Sequence, residues 1–416
     1  MGLVSDNTPP DRLVDFLQAL AQALHVSGAP AQDLERDLAL VGARMGLRVQ
    51  CFALPTMLSL TAEAEGMPQA VRLIRLPPYD YNMVRLIKLE AMLRELRGPA
   101  ELAQGEAKLQ QIMAAPPIWR GWRFVACGFL LSASVALLLR GSWAEMLSGG
   151  IVGALFVAAY QRLGGKPSLG PVLPVLLCGL AALCTYALCV LLPQQSPFVT
   201  VLAGIVLMLP GFTMTIAMSE LATQNLIAGT GRLAGAFMLM LMMGAGVAMG
   251  SVLAAEFMPV APTGTGAPLP DWAMWPNIAV LGLGLLAVLQ APLRSVHVVI
   301  VACLLAWGIS HYVGNELGPV AGAFAGAFGV AMAGHVYQRF SGKPGILVQV
   351  PGLITLVPGS VGFRGLHALM EQDTVTGLGI LAATVVTGAA LVVGTLLANG
   401  IGPAVVGRRR GEAGVP

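Results

Sequence analysis

Two Pro-Gly pairs interrupt apolar, helix-length runs: Pro210-Gly211 after Val201–Leu209, and Pro358-Gly359 after Val350–Val357. Proline has no N–H to donate and its ring blocks the carbonyl four residues back. Those carbonyls belong to Val206 and Ile354, and both are expected as free acceptors at mid-membrane. Beyond each pair a new half-helix starts, and its first amides carry the positive end of the helix dipole. Acceptors beside amide donors suit a zwitterion, with its ammonium towards the carbonyls and its carboxylate towards the amides. Thr213, Thr215 and Ser360 fall in or near the first turns and add hydroxyls that can bind a substrate. The competing reading is that Pro and Gly merely kink tightly packed helices.

Charged residues near these breaks need a reason, because each costs roughly 2.5–3.5 kcal/mol at a membrane helix centre. Glu220 follows Pro210 by about 15 Å of helical rise. It is either a proton-coupling carboxylate or a group reaching the interface. Asn225 and Arg232 follow on the same side and extend a proton-coupling or gating set. Arg364 lies just beyond Pro358 and either attracts an anionic substrate or pairs with Glu371 or Asp373. His311 and Glu316 read as interfacial, and His335 as a hydrogen-bonded histidine in a Gly/Ala-rich helix.

The elements that position these residues belong to a membrane protein. Of 416 residues, 56% are hydrophobic and 11% charged, with mean hydropathy +0.76. That excludes an ordinary globular enzyme. A net charge of only +3 argues against nucleic acid as a partner. Spans are expected at about 119–140, 143–162, 171–193, 197–220, 229–255, 274–292, 295–313, 317–338, 345–363 and 374–398, each near the ~20 residues a bilayer needs. The start of the chain shows no apolar signal segment, so an inside amino terminus is expected. The inside connections then carry Arg162, Lys166, Arg232, Arg294, Arg339 and Lys343, with Arg408–Arg410 in a cytoplasmic tail, 399–416. Arg140 and Arg364 are the basic residues left outside, which satisfies the positive-inside rule. Both termini are thus expected in the cytoplasm, with the bilayer and protons as partners and a homo-oligomer compatible with the pattern. Trp119, Trp122, Trp143, Trp272 and Trp275 fall at expected interfaces.

Residues 1–118 read as a separate α/β domain. Leu13, Phe16, Leu17, Leu20 and Leu24 mark one helix, and Leu34, Leu38, Val41 and Met45 a second. Strand-like segments follow at Leu47–Leu54, Thr56–Ala62 and Ala70–Leu76, split by Pro55 and by the Glu65–Pro68 turn, before two more helices near 81–96 and 99–114. No nucleophile elbow, phosphate loop or metal-ligand pair occurs here, so neither catalysis nor a cofactor or metal is expected. A regulatory, assembly or gating role is the expectation, with a tethered enzyme or sensor as the alternative. The six cysteines show no paired spacing and read as small core hydrophobes.

Aligning Pro210 with Pro358 offsets the membrane region by 148 residues. The spans then pair five with five, 119–255 with 274–398. An odd number per half forces opposite orientations, an inverted repeat. A second match disagrees: Tyr160-Gln161-Arg162 and Lys166-Pro167 resemble Tyr337-Gln338-Arg339 and Lys343-Pro344 at an offset of 177. It reads as an interfacial anchor or a cytoplasmic gate.

The chain resembles the threonine/serine exporter family over nearly its whole length. The residues that carry this are Leu24-His-Val-Ser-Gly-Ala-Pro30, Leu209-Pro-Gly-Phe-Thr-Met-Thr-Ile-Ala-Met-Ser-Glu220, Gly229-Thr-Gly-Arg232 and Val350-Pro-Gly-Leu-Ile-Thr-Leu-Val-Pro-Gly-Ser360 with Phe363-Arg364-Gly365. The resemblance implies a bacterial inner-membrane exporter of threonine and serine driven by the proton motive force. Relatives, some split into two chains, imply dicarboxylates such as succinate as the alternative cargo. Family members often carry Asp near Ser219-Glu220, and Glu220 keeps that charge with a longer reach.

Overall fold

The computed structural model describes residues 10–64, 68–77, 81–258, 266–357 and 359–406. Pro358, Arg408–Arg410 and the Glu65–Met67 part of the expected turn lie outside them, as does most of the expected tail. The chain divides into two compact units. One holds the residues up to Ile118 with Asn225–Gly231 and Leu289–Ala291, and the other holds the rest.

The first unit begins with two amphipathic helices, α1 (Pro10–Val26) and α2 (Ala31–Arg44). Leu17, Leu20, Leu24, Leu34 and Leu38 are their buried stripe. Gly46, at φ +77°, turns the chain out of α2, a conformation that strains any residue with a side chain. Three strands follow, β1 (Arg48–Ala53), β2 (Met57–Glu63) and β3 (Ala70–Arg75), as an antiparallel meander with Cys51 opposite Leu60 and Leu60 opposite Arg72. Side chains alternate across it: Val49, Leu58, Leu60 and Ile74 are buried, while Phe52, Val71 and Leu73 point out. α3 (Met83–Glu95) starts at Asn82, whose side-chain oxygen accepts the Arg85 N–H at 3.0 Å. The Met83 N–H donates to the Leu289 carbonyl at 2.9 Å, within this unit. α4 (Leu102–Ala114) completes it. On α3, burial pushes the Glu90 carboxyl up to about 7, against the pull of Arg94.

The second unit is helical: α5 (Trp122–Leu138), α6 (Trp143–Leu163), α7 (Leu173–Leu191), α8 (Pro197–Gly204), α9 (Gly211–Ala222), α10 (Leu226–Phe257), α11 (Met274–Val288), α12 (Val296–Leu317), α13 (Pro319–Ser341), α14 (Ile346–Leu356), α15 (Gly359–Met370) and α16 (Thr374–Val406). Among the described residues, eight helical segments are long and apolar enough to cross a membrane, α14 and α15 counting as one. The number is nine if α8 and α9, bent by 52°, form one span. The protein is therefore a polytopic membrane protein. α5 is shorter than the expected 119–140, at 17 residues, because Gly121, at φ +59°, delays its start. Ser142 and Pro197 open α6 and α8, and Gly342, in the left-handed region, closes α13. Small residues let helices touch: Gly246 lies against the Val175 backbone and Gly250 against that of Gly179.

Two consequences can be measured on the whole protein. Gly250→Leu forces α7 and α10 apart and lowers the thermal midpoint in detergent, by the equivalent of about 1–3 kcal/mol for overpacking. Gly400→Leu, at a position where an added Cβ meets nothing within 4 Å, does not lower that midpoint. The raised Glu90 carboxyl binds a proton in the folded state that the unfolded state releases above its ordinary 4.5. Its contribution to stability is therefore complete below that value and lost as pH rises through about 7. Glu90→Gln flattens the stability–pH profile across that window, which thermal midpoints on either side of it will show.

Candidate functional site

The first break is a tight turn. Val206–Met208 form a single 3-10 turn, and the Pro210 carbonyl opens α9 by accepting the Met214 N–H at 2.9 Å. In the second break α14 ends at Leu356 and α15 begins at Gly359. The two breaks meet. A Cβ on Gly211 would lie 2.9 Å from the Gly359 Cα, and a Cβ on Gly359 would lie 2.9 Å from the Gly211 Cα. Glycine at both positions is what lets the amino-terminal ends of α9 and α15 touch. Two positive dipole ends therefore share one place.

The carbonyls expected to be free are engaged, which corrects the sequence reading. Val206 accepts from the Leu209 N–H at 3.1 Å, and Ile354 from the Val357 N–H at 3.3 Å. Where the donor four residues on is missing, the chain tightens to the donor three residues on. Each oxygen keeps one lone pair for a further partner. The Thr215 hydroxyl turns back to the Gly211 carbonyl at 3.3 Å. Thr213 and Ser360, one in the first turn of each half-helix, are half-buried, and their hydroxyls bond to no other described residue.

Glu220 and Arg232 come together as one ion pair. Arg232 Nε donates to both carboxylate oxygens, at 3.1 and 2.9 Å, and the side chains are only 7% and 6% exposed. Neither group reaches solvent as an interfacial charge would. Asn225 opens α10 instead, its carbonyl accepting the Gly229 N–H at 2.9 Å.

Arg364 pairs with neither expected acid. Glu371 lies 3.3 Å from His367 Nε2, one helical turn away, and Asp373 accepts the Thr376 N–H at 3.2 Å. Arg364 Nη2 donates to the Leu139 carbonyl at 3.5 Å, and its Nε is buried without a hydrogen-bond partner. Among the described residues this guanidinium has no carboxylate partner.

His335 binds Asn399 at 3.0 Å, and His311 binds Asn315 at 3.2 Å and stacks on Trp307. Two features had no expectation attached. Phe198, at the start of α8, stacks on His367 of α15 with ring centroids 4.3 Å apart. Glu145, 1% exposed, is held at the start of α6. Its signal is the Ser142-x-x-Glu145 capping box before an apolar run, which predicts a helix start and nothing more.

A family model described as a putative threonine/serine exporter matches residues 15–254, more than half of the chain. The chain belongs to the threonine/serine exporter family. A second model, described as threonine/serine exporter, ThrE, matches residues 273–401. The exporter family chain is 24% identical to a probable threonine/serine exporter of Mycobacterium tuberculosis, over 95% of this chain and 78% of that one. It is 24% identical to the threonine/serine exporter of Corynebacterium glutamicum, over 77% of this chain and 68% of that one. It is also 24% identical to an uncharacterized protein of Schizosaccharomyces pombe, over 85% of this chain, which spans only 44% of that longer relative. No solved structure matches. Membership supports an exporter role.

Glu220→Gln removes the carboxylate that faces the buried Arg232 charge and should cost about 3–5 kcal/mol. Thermal unfolding of the single and double variants reads this: Glu220→Gln/Arg232→Gln should be more stable than either single change.

Proposed function

We propose that the protein exports threonine and serine by proton antiport, binding the substrate where the two broken spans meet. The contact of Gly211 with Gly359 carries this reading. Breaks 148 residues apart in sequence have no packing reason to coincide unless they build one place. The substrate carboxylate meets the first-turn amides of α9 and α15 and the hydroxyls of Thr213 and Ser360. Its ammonium takes the remaining lone pairs of Val206 and Ile354. Pro210, Gly211 and Gly359 set the backbone, and Thr215 fixes the first turn of α9 through Gly211. Glu220 and Arg232 close the inner side and separate during the cycle, with Asn225 at the mouth of α10 and Glu371 holding His367 on the outer side.

The proposed layout has ten spans, with α5 and the α8–α9 pair completing the count, and a separate head of residues 1–118. The elements support an inverted repeat. α5 through α10 match α11 through α16 in order and kind, and the starts of α9 and α10 precede those of α15 and α16 by 148 residues each. The Tyr160 and Tyr337 segments fall at the ends of α6 and α13, which this alignment does not pair. They are accordingly read as interfacial anchors. Both termini face the cytoplasm of a bacterial inner membrane.

Arg364 favours a second reading. A guanidinium without a carboxylate partner suits a second carboxylate on the substrate, as in a succinate-type dicarboxylate.

Liposomes loaded with labelled threonine and given a pH gradient decide between them. Proton-dependent efflux blocked by serine supports the amino-acid exporter, and Gly211→Val and Gly359→Val should each abolish it. Competition by succinate alone, with sensitivity to Arg364→Gln, establishes the dicarboxylate reading. If neither substrate moves, both fail.

A further inference from the structure

We propose that Glu145 is a proton-binding carboxylate of the transport cycle, and that its protonation releases the first broken span. This rests on the exporter reading above. The residue is buried and bonded to two separate turns. Oε1 accepts the N–H of Ser196, the residue that caps α8, at 2.8 Å. Oε2 accepts the N–H of Ser142 at 2.8 Å and the Ser142 hydroxyl. The carboxylate thus ties the start of α6 to the start of α8.

Among the described residues no cation pairs with it. The ionisable groups on the surrounding elements are otherwise engaged. Arg140, after α5, pairs with Asp271 at 2.8 Å. Arg364 of α15 donates to Leu139, and His367 lies between Phe198 and Glu371. The Cys189 thiol of α7 lies within electrostatic reach. Glu220 is different: taking up a proton there breaks its ion pair with Arg232, whereas no ion pair is lost when Glu145 takes one.

A polar layer lies one turn deeper. Ser148 shares a face of α6 with Glu145 and Val152. On α7, the Cys189 thiol is the group within electrostatic reach of Glu145, and Thr185 is one turn inward from it. On α8, Gly204 lies against Val152, and Thr200 is one turn outward from it. Helical periodicity therefore sets Ser148, Thr185 and Thr200 at one level beneath Glu145. All three are fully buried. The hydroxyls of Ser148 and Thr185 have no hydrogen-bond partner among the described residues, while Thr200 donates to Gln195 at 3.3 Å. Buried hydroxyls without partners are rare and signal a bound water. Such a water joins Glu145 to the layer and carries its proton. Protonation replaces a charge-assisted bond from Ser196 with a weaker neutral one. α8 is only eight residues long and leads directly into the bend before Pro210, so loosening its cap acts on the break itself.

Infrared difference spectra of the full protein in liposomes, taken on acidification, test this without transport. A protonated-carboxyl band in the wild type that is lost in Glu145→Gln supports the proposal, and an equal band in both overturns it. Ser148→Ala/Thr185→Val leaves every bond to Glu145 in place and should shift the midpoint of that band. An unchanged midpoint overturns the layer, and this variant carries the test if Glu145→Gln does not fold. In flux, Glu145→Gln should lose the acceleration by a pH gradient relative to its own exchange rate, and retained acceleration overturns the coupling role. If the wild type moves no threonine, the exporter reading falls while the infrared band still decides whether Glu145 binds a proton.

Discussion

A helix broken at membrane depth must return its backbone polar groups to protein or to a wet cavity, since lipid offers them nothing. Much of the second unit can be read as an answer to that constraint. Each break closes its own carbonyl with a tighter turn, through Leu209 and Val357. The amides at the starts of α9 and α15 cannot be closed in this way, because a helix has no internal acceptor for its first turn. Bringing Gly211 onto Gly359 gathers both sets of donors in one protected place.

The two buried carboxylates of this unit answer a related constraint in opposite ways. Glu220 is neutralised by Arg232, so its charge is stable as long as the pair stays closed. Opening that pair is costly, which suits a barrier that must hold between turnovers. Glu145 is stabilised only by neutral donors. Its hydrogen bonds survive in weaker form when it becomes neutral, which suits a group that must change state during each cycle. Burial alone does not distinguish the two, but the charge of the partner does.

The parts of this architecture set by local chemistry were legible in the sequence. Apolar run length marked the helices, and the break expected at Pro210 begins earlier, where the chain bends by 52° between Gly204 and Val206. β1, β2 and β3 overlap the segments Leu47–Leu54, Thr56–Ala62 and Ala70–Leu76. What joins distant elements was not legible. Glu220 and Arg232 were each singled out, yet nothing local says that they bind each other across the α9–α10 turn. Glu145 carried no expectation, because its bond to Ser196 spans 51 positions. The Val206 and Ile354 carbonyls were misread for a different reason: losing one donor does not leave an acceptor bare when the next turn can tighten.

The electrostatics of the meeting point bear on what it binds. Two helix starts and, further along α15, an arginine without a carboxylate partner all offer positive potential. The acceptors nearby are second lone pairs on carbonyls already in use. On the site proposed here, a carboxylate is the most strongly specified part of any ligand, and an ammonium the least. Threonine and succinate share the first feature and differ in the second. Discrimination between them then falls to the weaker half of the site, the carbonyls of Val206 and Ile354 set against Arg364. A site of that kind would change cargo by altering few residues while keeping its breaks.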